Sequence, residues 1–153
     1  MLNTSLAPWP SFTQEEADAV QNILLSNDGS YWTGTDCLEF EKEFAQWAGT
    51  EYAIALGNGT LALDVALKAM NIGPGGDVIV TSRTFLASAS AIVTAGANPI
   101  FADVDLNSQN ISAETIEAVL TPNTKAIIVV HLAGMPAAMA DILAFAATHK
   151  SRV

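Results

Sequence analysis

The chain has 153 residues, half of them hydrophobic, and carries 16 Asp plus Glu against six Lys plus Arg for a formal net charge of −10. That is the size of one ordinary domain, and its acidic balance leaves no basic face to neutralise a phosphate backbone, which argues against nucleic-acid binding. No apolar run approaches the roughly 20 residues that cross a bilayer, which excludes a membrane span. The stretch from Met1 to Pro10 lacks a basic start and an apolar core, so no secretory signal is expected and the expected address is the cytoplasm. The single cysteine, Cys37, cannot form an internal disulfide; it agrees with a reducing compartment, argues against a zinc or iron-sulfur site, and reads as a small, partly buried side chain.

Thr13-Gln14-Glu15-Glu16 has the form of a capping box, and Ala17, Val20, Ile23 and Leu24 then recur at helical spacing until the turn Asn27-Asp28-Gly29-Ser30. An aromatic loop, Tyr31-Trp32-Thr33-Gly34, leads to a second helix that Asp36 can cap, bearing Leu38, Phe40, Phe44 and Trp47 and closed by Gly49. From Tyr52 the pattern alternates. An apolar strand over Tyr52 to Leu56, the turn Gly57-Asn58-Gly59 and a helix over Thr60 to Met70 form a strand, turn and helix unit. Then come a strand at Val78-Ile79-Val80, a small-residue helix from Phe85 to Thr94, and a strand at Ile100-Phe101-Ala102. A helix capped by Ser112 and stopped at Thr121-Pro122 precedes a fourth strand over Ala126 to Val130, and a last helix opens at Gly134-Met135-Pro136 and runs to His149. Continuously apolar strands separated by helices predict an α/β fold with a largely parallel sheet covered on both faces. Such sheets take ligands at the carboxyl ends of their strands, so chemistry is expected in the loops after Leu56, Val80, Ala102 and Val130.

Gly57-Asn58-Gly59-Thr60 follows one expected strand and opens a helix, so backbone N–H groups, the positive helix end and the Thr60 hydroxyl can converge on an anion. With Leu61 and Ala62 it also fits G-x-G-x-x-A, a dinucleotide fingerprint, although the next strand begins rather than ends with an acid, Asp77, and carries Arg83 beyond its far end. An NADP-binding domain, with Arg83 on the 2′-phosphate, is therefore one alternative, and glycines serving only a tight turn are another. Phe85, the one large aromatic at the mouth of its strand, can lie against a planar ring or fill a core. His131 stands on the same side, with a ligand contact and a structural role both open, whereas His149 suits a helix C-terminus. Asp103 and Asp105, without a neighbouring histidine or third carboxylate, read as turn formers rather than metal ligands, and no metal is expected.

In their order and spacing these pieces resemble the DegT/DnrJ/EryC1/StrS sugar aminotransferases, fold-type I pyridoxal 5′-phosphate (PLP) enzymes. The resemblance covers nearly the whole chain. It rests on Tyr31-Trp32-Thr33-Gly34, Gly57-Asn58-Gly59-Thr60-Leu61-Ala62-Leu63, Ile72-Gly73-Pro74-Gly75-Gly76-Asp77-Val78-Ile79, Thr84-Phe85-Leu86-Ala87-Ser88, Phe101-Ala102-Asp103-Val104-Asp105, Thr121-Pro122-Asn123-Thr124-Lys125-Ala126-Ile127 and His131-Leu132-Ala133-Gly134. It implies that Gly59 and Thr60 bind the PLP phosphate, that Phe85 stacks on the pyridine ring, that Ser88 and His131 lie near the cofactor, and that Trp32, Thr33 and Gly34 border a nucleotide-sugar pocket.

The resemblance further implies a three-layer α/β/α large domain, incomplete here over residues 51–153 and preceded by a helical arm over 1–50, with the rest of that domain and a small domain lying outside the chain. It implies transfer of an amino group from glutamate to a nucleotide-linked keto sugar, in surface-polysaccharide or lipopolysaccharide synthesis, by a homodimer. The family's Schiff-base lysine, and the aspartate that pairs with the pyridine nitrogen, match nothing here: Lys42, Lys68, Lys125 and Lys150 all stand outside the lysine's motif. No residue is therefore assigned as catalytic, and the chain alone is expected to be inactive. A truncated paralogue acting as a binding or regulatory subunit, and a sugar dehydratase of the same family, are alternatives. A parallel sheet cut from its covering is expected to leave apolar area exposed and to self-associate.

Overall fold

The computed structural model describes residues 8–153, so the start of the segment read for a secretory signal lies outside the described residues. The chain divides into two compact units between Ala55 and Leu56.

In the first unit, α1 (Gln14–Ser26) starts at the expected capping box. The Thr13 N–H and hydroxyl donate to Glu16 Oε2 at 2.6 and 2.8 Å, and the Glu16 N–H donates back to Thr13 Oγ1 at 3.2 Å. Those bonds from the Thr13 backbone and hydroxyl hold the Glu16 carboxyl below its ordinary range. Helix α2 (Asp36–Ala48) has Thr35 rather than Asp36 at its N-cap, without a side-chain cap, and ends at Gly49 in the left-handed region. Along it Phe40, Phe44 and Trp47 stack in sequence, with centroids 5.7 and 5.4 Å apart. All three are exposed, and so is Cys37 where a partly buried side chain was expected.

The expected strand over Tyr52 to Leu56 does not form. A strand needs a neighbouring edge as well as an apolar run, and no described strand pairs with this segment; the Ala55 N–H donates instead to Glu41 Oε1 at 2.7 Å.

In the second unit the elements alternate as α3 (Gly59–Ala69), β1 (Asp77–Thr81), α4 (Ala87–Thr94), β2 (Asn98–Ala102), α5 (Ala113–Glu117), β3 (Thr124–Ile128), a 3₁₀ turn (Leu132–Gly134) and α6 (Met139–Thr148). The three strands form one parallel sheet in the order β2-β1-β3, with Ile79 opposite Ile100 on one side and Ile127 on the other. Central strand β1 is buried at every residue, and its side chains alternate between two cores. Val78 and Val80 join Leu67, Ala91 and Ile92 of α3 and α4. Ile79 joins Ile116, Ile142 and Ala146 of α5 and α6. The result is the expected three-layer α/β/α arrangement, with a short sheet. Several boundaries differ from expectation: β2 begins at Asn98 rather than Ile100, α4 at Ala87 rather than Phe85, and α5 ends at Glu117, ahead of Thr121. Strand β3 begins two residues early, at Thr124, and α6 begins only at Met139, because Gly134 (φ 82°) and Pro136 occupy the connection.

Candidate cofactor site

Parallel strands put their carboxyl ends on one edge, and here that edge carries the loops that follow Thr81, Ala102 and Ile128. Strand β1 lies between its successor β2 and the later β3, so the chain leaves β1 and β3 toward opposite sides. Such a reversal opens a crevice between neighbouring loops. Phe85 and Ser88 follow β1, and His131 follows β3.

Helix α3 brings Gly59 and Thr60 to the same edge. Lys68 in its last turn and Asn71 just beyond its end line a cavity of about 580 Å³ with Thr94 and Ala95 at the end of α4. The two helices therefore end together beside the strands' amino ends, and the N-terminus of α3 lies toward their carboxyl ends. Asn58 is its N-cap: the side-chain carbonyl accepts from the Leu61 N–H at 3.0 Å and the backbone carbonyl from the Ala62 N–H at 3.2 Å. The N–H groups of Gly59 and Thr60 have no acceptor among the described residues, and open space surrounds the position a Gly59 Cβ would take. Two free donors, a threonine hydroxyl and a positive helix end suit a phosphate.

Phe85 is 76% exposed, so its ring is free to meet a planar ligand rather than filling a core. Ser88, in the first turn of α4, is buried with its Oγ 2.9 Å from Thr84 Oγ1. The exposed His131 accepts a hydrogen bond on Nδ1 from the Ala137 N–H at 3.1 Å, which puts the proton of a neutral ring on Nε2. This donor set fits the phosphate and ring face of PLP.

In the first unit, Trp32 is almost fully exposed and meets Tyr31 edge to face, with centroids 5.9 Å apart. The Gly34 N–H closes the loop onto the Ser30 carbonyl at 2.7 Å, and a Cβ at Gly34 would stand 1.9 Å from the Asp28 carbonyl oxygen, so only glycine fits. Thr33 and Gly34 line a depression with Asn22, Asp28 and Asp36.

The opposite edge of the sheet explains other residues. Asp77, the acid a dinucleotide site would need at the carboxyl end, is buried there and bonded to Thr121 and Asn98. Lys125 and Lys150 line a cavity with the Gly73–Gly76 connection, and Lys68 lines the α3–α4 cavity, so all three lysines of this unit lie away from the carboxyl edge. Asp105 accepts from the N–H groups of Asn107 and Ser108 at 3.0 and 2.8 Å, a turn-forming role that also holds its carboxyl below the ordinary range. No group of three or more His, Cys, Asp or Glu suited to a metal occurs among the described residues, and no described helix is long and apolar enough to cross a membrane.

Two residues at this edge were not among the expected site residues. Asn58 carried a usable signal, an Asn immediately before a helix. Asn110 carried none, because its side-chain partners, Leu132 and Met135, lie 22 and 25 residues downstream.

A parallel three-layer sheet with free N–H donors at a helix start and an exposed aromatic at its carboxyl edge is an arrangement that suits a phosphate-bearing cofactor. The chain belongs to the DegT/DnrJ/EryC1/StrS aminotransferase family, whose model matches residues 10–153. It is 48% identical over 116 residues to GDP-perosamine synthase of Caulobacter vibrioides, covering 76% of this chain and 31% of that protein. Among solved structures, the aminotransferase from Psychrobacter cryohalolentis superposes with a TM-score of 0.92 at 59% identity, covering 96% of this chain and 37% of that one. NtdA from Bacillus subtilis, solved with bound cofactor PMP, superposes with a TM-score of 0.86 at 29% identity, covering 97% of this chain and 36% of that one. The chain thus spans about a third of the length of these relatives.

Proposed function

We propose that this chain is the cofactor-anchoring part of a PLP-dependent aminotransferase that moves an amino group from glutamate to a nucleotide-linked keto sugar for surface-polysaccharide synthesis. The observation that carries the reading is the pair of unpartnered N–H groups at Gly59 and Thr60, at the sheet edge that also bears Phe85 and His131. When bound, PLP supplies the electron sink for amino transfer. The chain's part is to hold it: Gly59 and Thr60 at the phosphate, Phe85 on the ring face, and Ser88 and His131 beside it. The proposed substrate role of Trp32, Thr33 and Gly34 rests on the family resemblance and on the exposure of Trp32.

In this reading residues 1–50 are the helical arm and 51–153 a part of the cofactor domain, and the address is cytoplasmic. The chain alone turns nothing over, because the lysines of its second unit sit away from the carboxyl edge. A homodimer is proposed on the same footing, supported by exposed Phe40, Phe44, Trp47 and Leu86; sedimentation should show self-association that grows with concentration, and a monomer throughout would contradict it.

The functional test supplies PLP, glutamate and a nucleotide-linked keto sugar such as the substrate of the perosamine synthase. PLP should bind, and no amino sugar should form with the isolated chain. Turnover by the chain alone would overturn its assignment as an anchoring part, and failure to bind PLP would overturn the cofactor reading.

A further inference from the structure

Asn110 is 2% exposed, yet nothing in the fold of its own segment uses its side chain. The carboxamide reaches instead to the loop after β3. There Oδ1 accepts from the Leu132 N–H at 3.0 Å, and Nδ2 donates to the Met135 carbonyl at 2.8 Å. Leu132 opens the 3₁₀ turn Leu132–Gly134 and Met135 directly follows it, so one buried amide holds both ends of it. The turn needs holding: Ala133 (φ 51°) and Gly134 (φ 82°) are successive left-handed residues, and for alanine that conformation is unfavourable and persists only where surroundings over-determine it. Directly before the turn stands His131, and shortly after it Ala137, whose N–H donates to His131 Nδ1. That bond exists only while the turn keeps the two residues facing each other.

We propose that Asn110 is a positioning residue for His131. By clamping the turn it keeps the Ala137 N–H on Nδ1, and so presents Nε2–H, a fixed donor, at the carboxyl edge of the sheet. The Asx turn at Asp105 delivers it: the Asp105 N–H donates to the Asn110 carbonyl at 2.9 Å, and the Gln109 N–H to the Asp105 carbonyl at 2.8 Å. A donor fixed in this way suits an acceptor oxygen or nitrogen on the cofactor ring, so this part of the inference rests on the cofactor reading above.

The chain has two histidines, so His149→Gln leaves one imidazole for nitrogen-15 NMR. In that background His131 should show a single neutral tautomer protonated on Nε2. Asn110→Ala should turn it into a tautomer mixture and speed exchange of the Leu132 and Ala137 amides by about tenfold or more, with the β1 amides unchanged. Asn110→Asp, of equal size, keeps an acceptor for Leu132 and loses the donor to Met135; it should give the same tautomer mixing if the alanine variant does not fold. Binding of pyridoxamine 5′-phosphate should weaken by about tenfold in Asn110→Ala and by the same factor in His131→Ala, without further loss in the double variant. An unchanged tautomer in both Asn110 variants overturns the proposal, and so does faster exchange spread evenly over all amides. Should the unsubstituted chain bind no pyridoxamine phosphate, the cofactor reading fails, while the tautomer and exchange data still decide whether Asn110 sets His131.

Discussion

The Thr121 hydroxyl donates to Asp77 Oδ2 at 2.6 Å and thereby ties the entrance of β3 to the first residue of β1. The other oxygen, Asp77 Oδ1, accepts from Asn98 Nδ2 of β2 at 3.1 Å, and the Asp77 N–H donates to the Asn123 carbonyl at 2.9 Å. One buried carboxylate therefore registers all three strands at the edge away from the candidate site.

Removing it should cost stability rather than ligand affinity. Asp77→Ala strands the Asn98 amide and leaves the Thr121 hydroxyl only the longer contact to Thr124 Oγ1 at 3.2 Å, and should destabilise the fold by about 2–3 kcal/mol, with Asp77→Asn costing about 1 kcal/mol because one acceptor survives. Urea unfolding measures both; a neutral Asp77→Ala would contradict the role given to this cluster.

Gly34→Ala tests the aromatic loop. The added methyl would collide with the Asp28 carbonyl oxygen at 1.9 Å, and relieving that backbone overlap should cost about 1–3 kcal/mol. Hydrogen exchange should report faster opening over residues 28–36 and unchanged protection in β1.

Acid should loosen the turn that presents Asn110. The Asp105 carboxylate is held below its ordinary range chiefly by the Ser108 N–H. Its contribution is complete above the pH where an unfolded aspartate titrates, and it is lost as pH falls through the lower folded-state value. The Ser108 amide shift should follow a midpoint below the ordinary aspartate range, and Asp105→Asn, which retains an acceptor, should abolish that titration with the turn intact.

Much of this was legible in the sequence because it is local. The apolar centres of β1, β2 and β3, the capping box at Thr13, the Ser112 cap and the Gly59–Thr60 helix start all follow from residue type and short spacing. The run from Tyr52 to Leu56 looked identical to a strand, and only the lack of a pairing partner separates it from one. Asn110 was invisible for the converse reason: its chemistry is set by a loop that reaches it only after the sheet forms.

Gly59→Pro separates the phosphate site from the helix that bears it. Gly59 is the first residue of α3, where proline is well accepted, and Asn58 before it is already extended (φ −170°, ψ 169°), as a residue before proline must be. The substitution should leave helicity unchanged while deleting one free N–H, weakening phosphate-bearing ligands by about tenfold. Thr60→Ala should cost a similar factor, and unchanged binding in both variants would move the phosphate elsewhere.

The central claim is that this chain holds a vitamin B6 phosphate without a covalent bond, through the N-terminus of α3. Calorimetric titration with pyridoxamine 5′-phosphate and with pyridoxamine tests it most directly, since neither can form a Schiff base with a lysine. The account predicts saturable binding of the phosphate ester that Gly59→Pro weakens, and no binding of pyridoxamine. Equal affinity for the two, or affinity indifferent to Gly59→Pro, would contradict it.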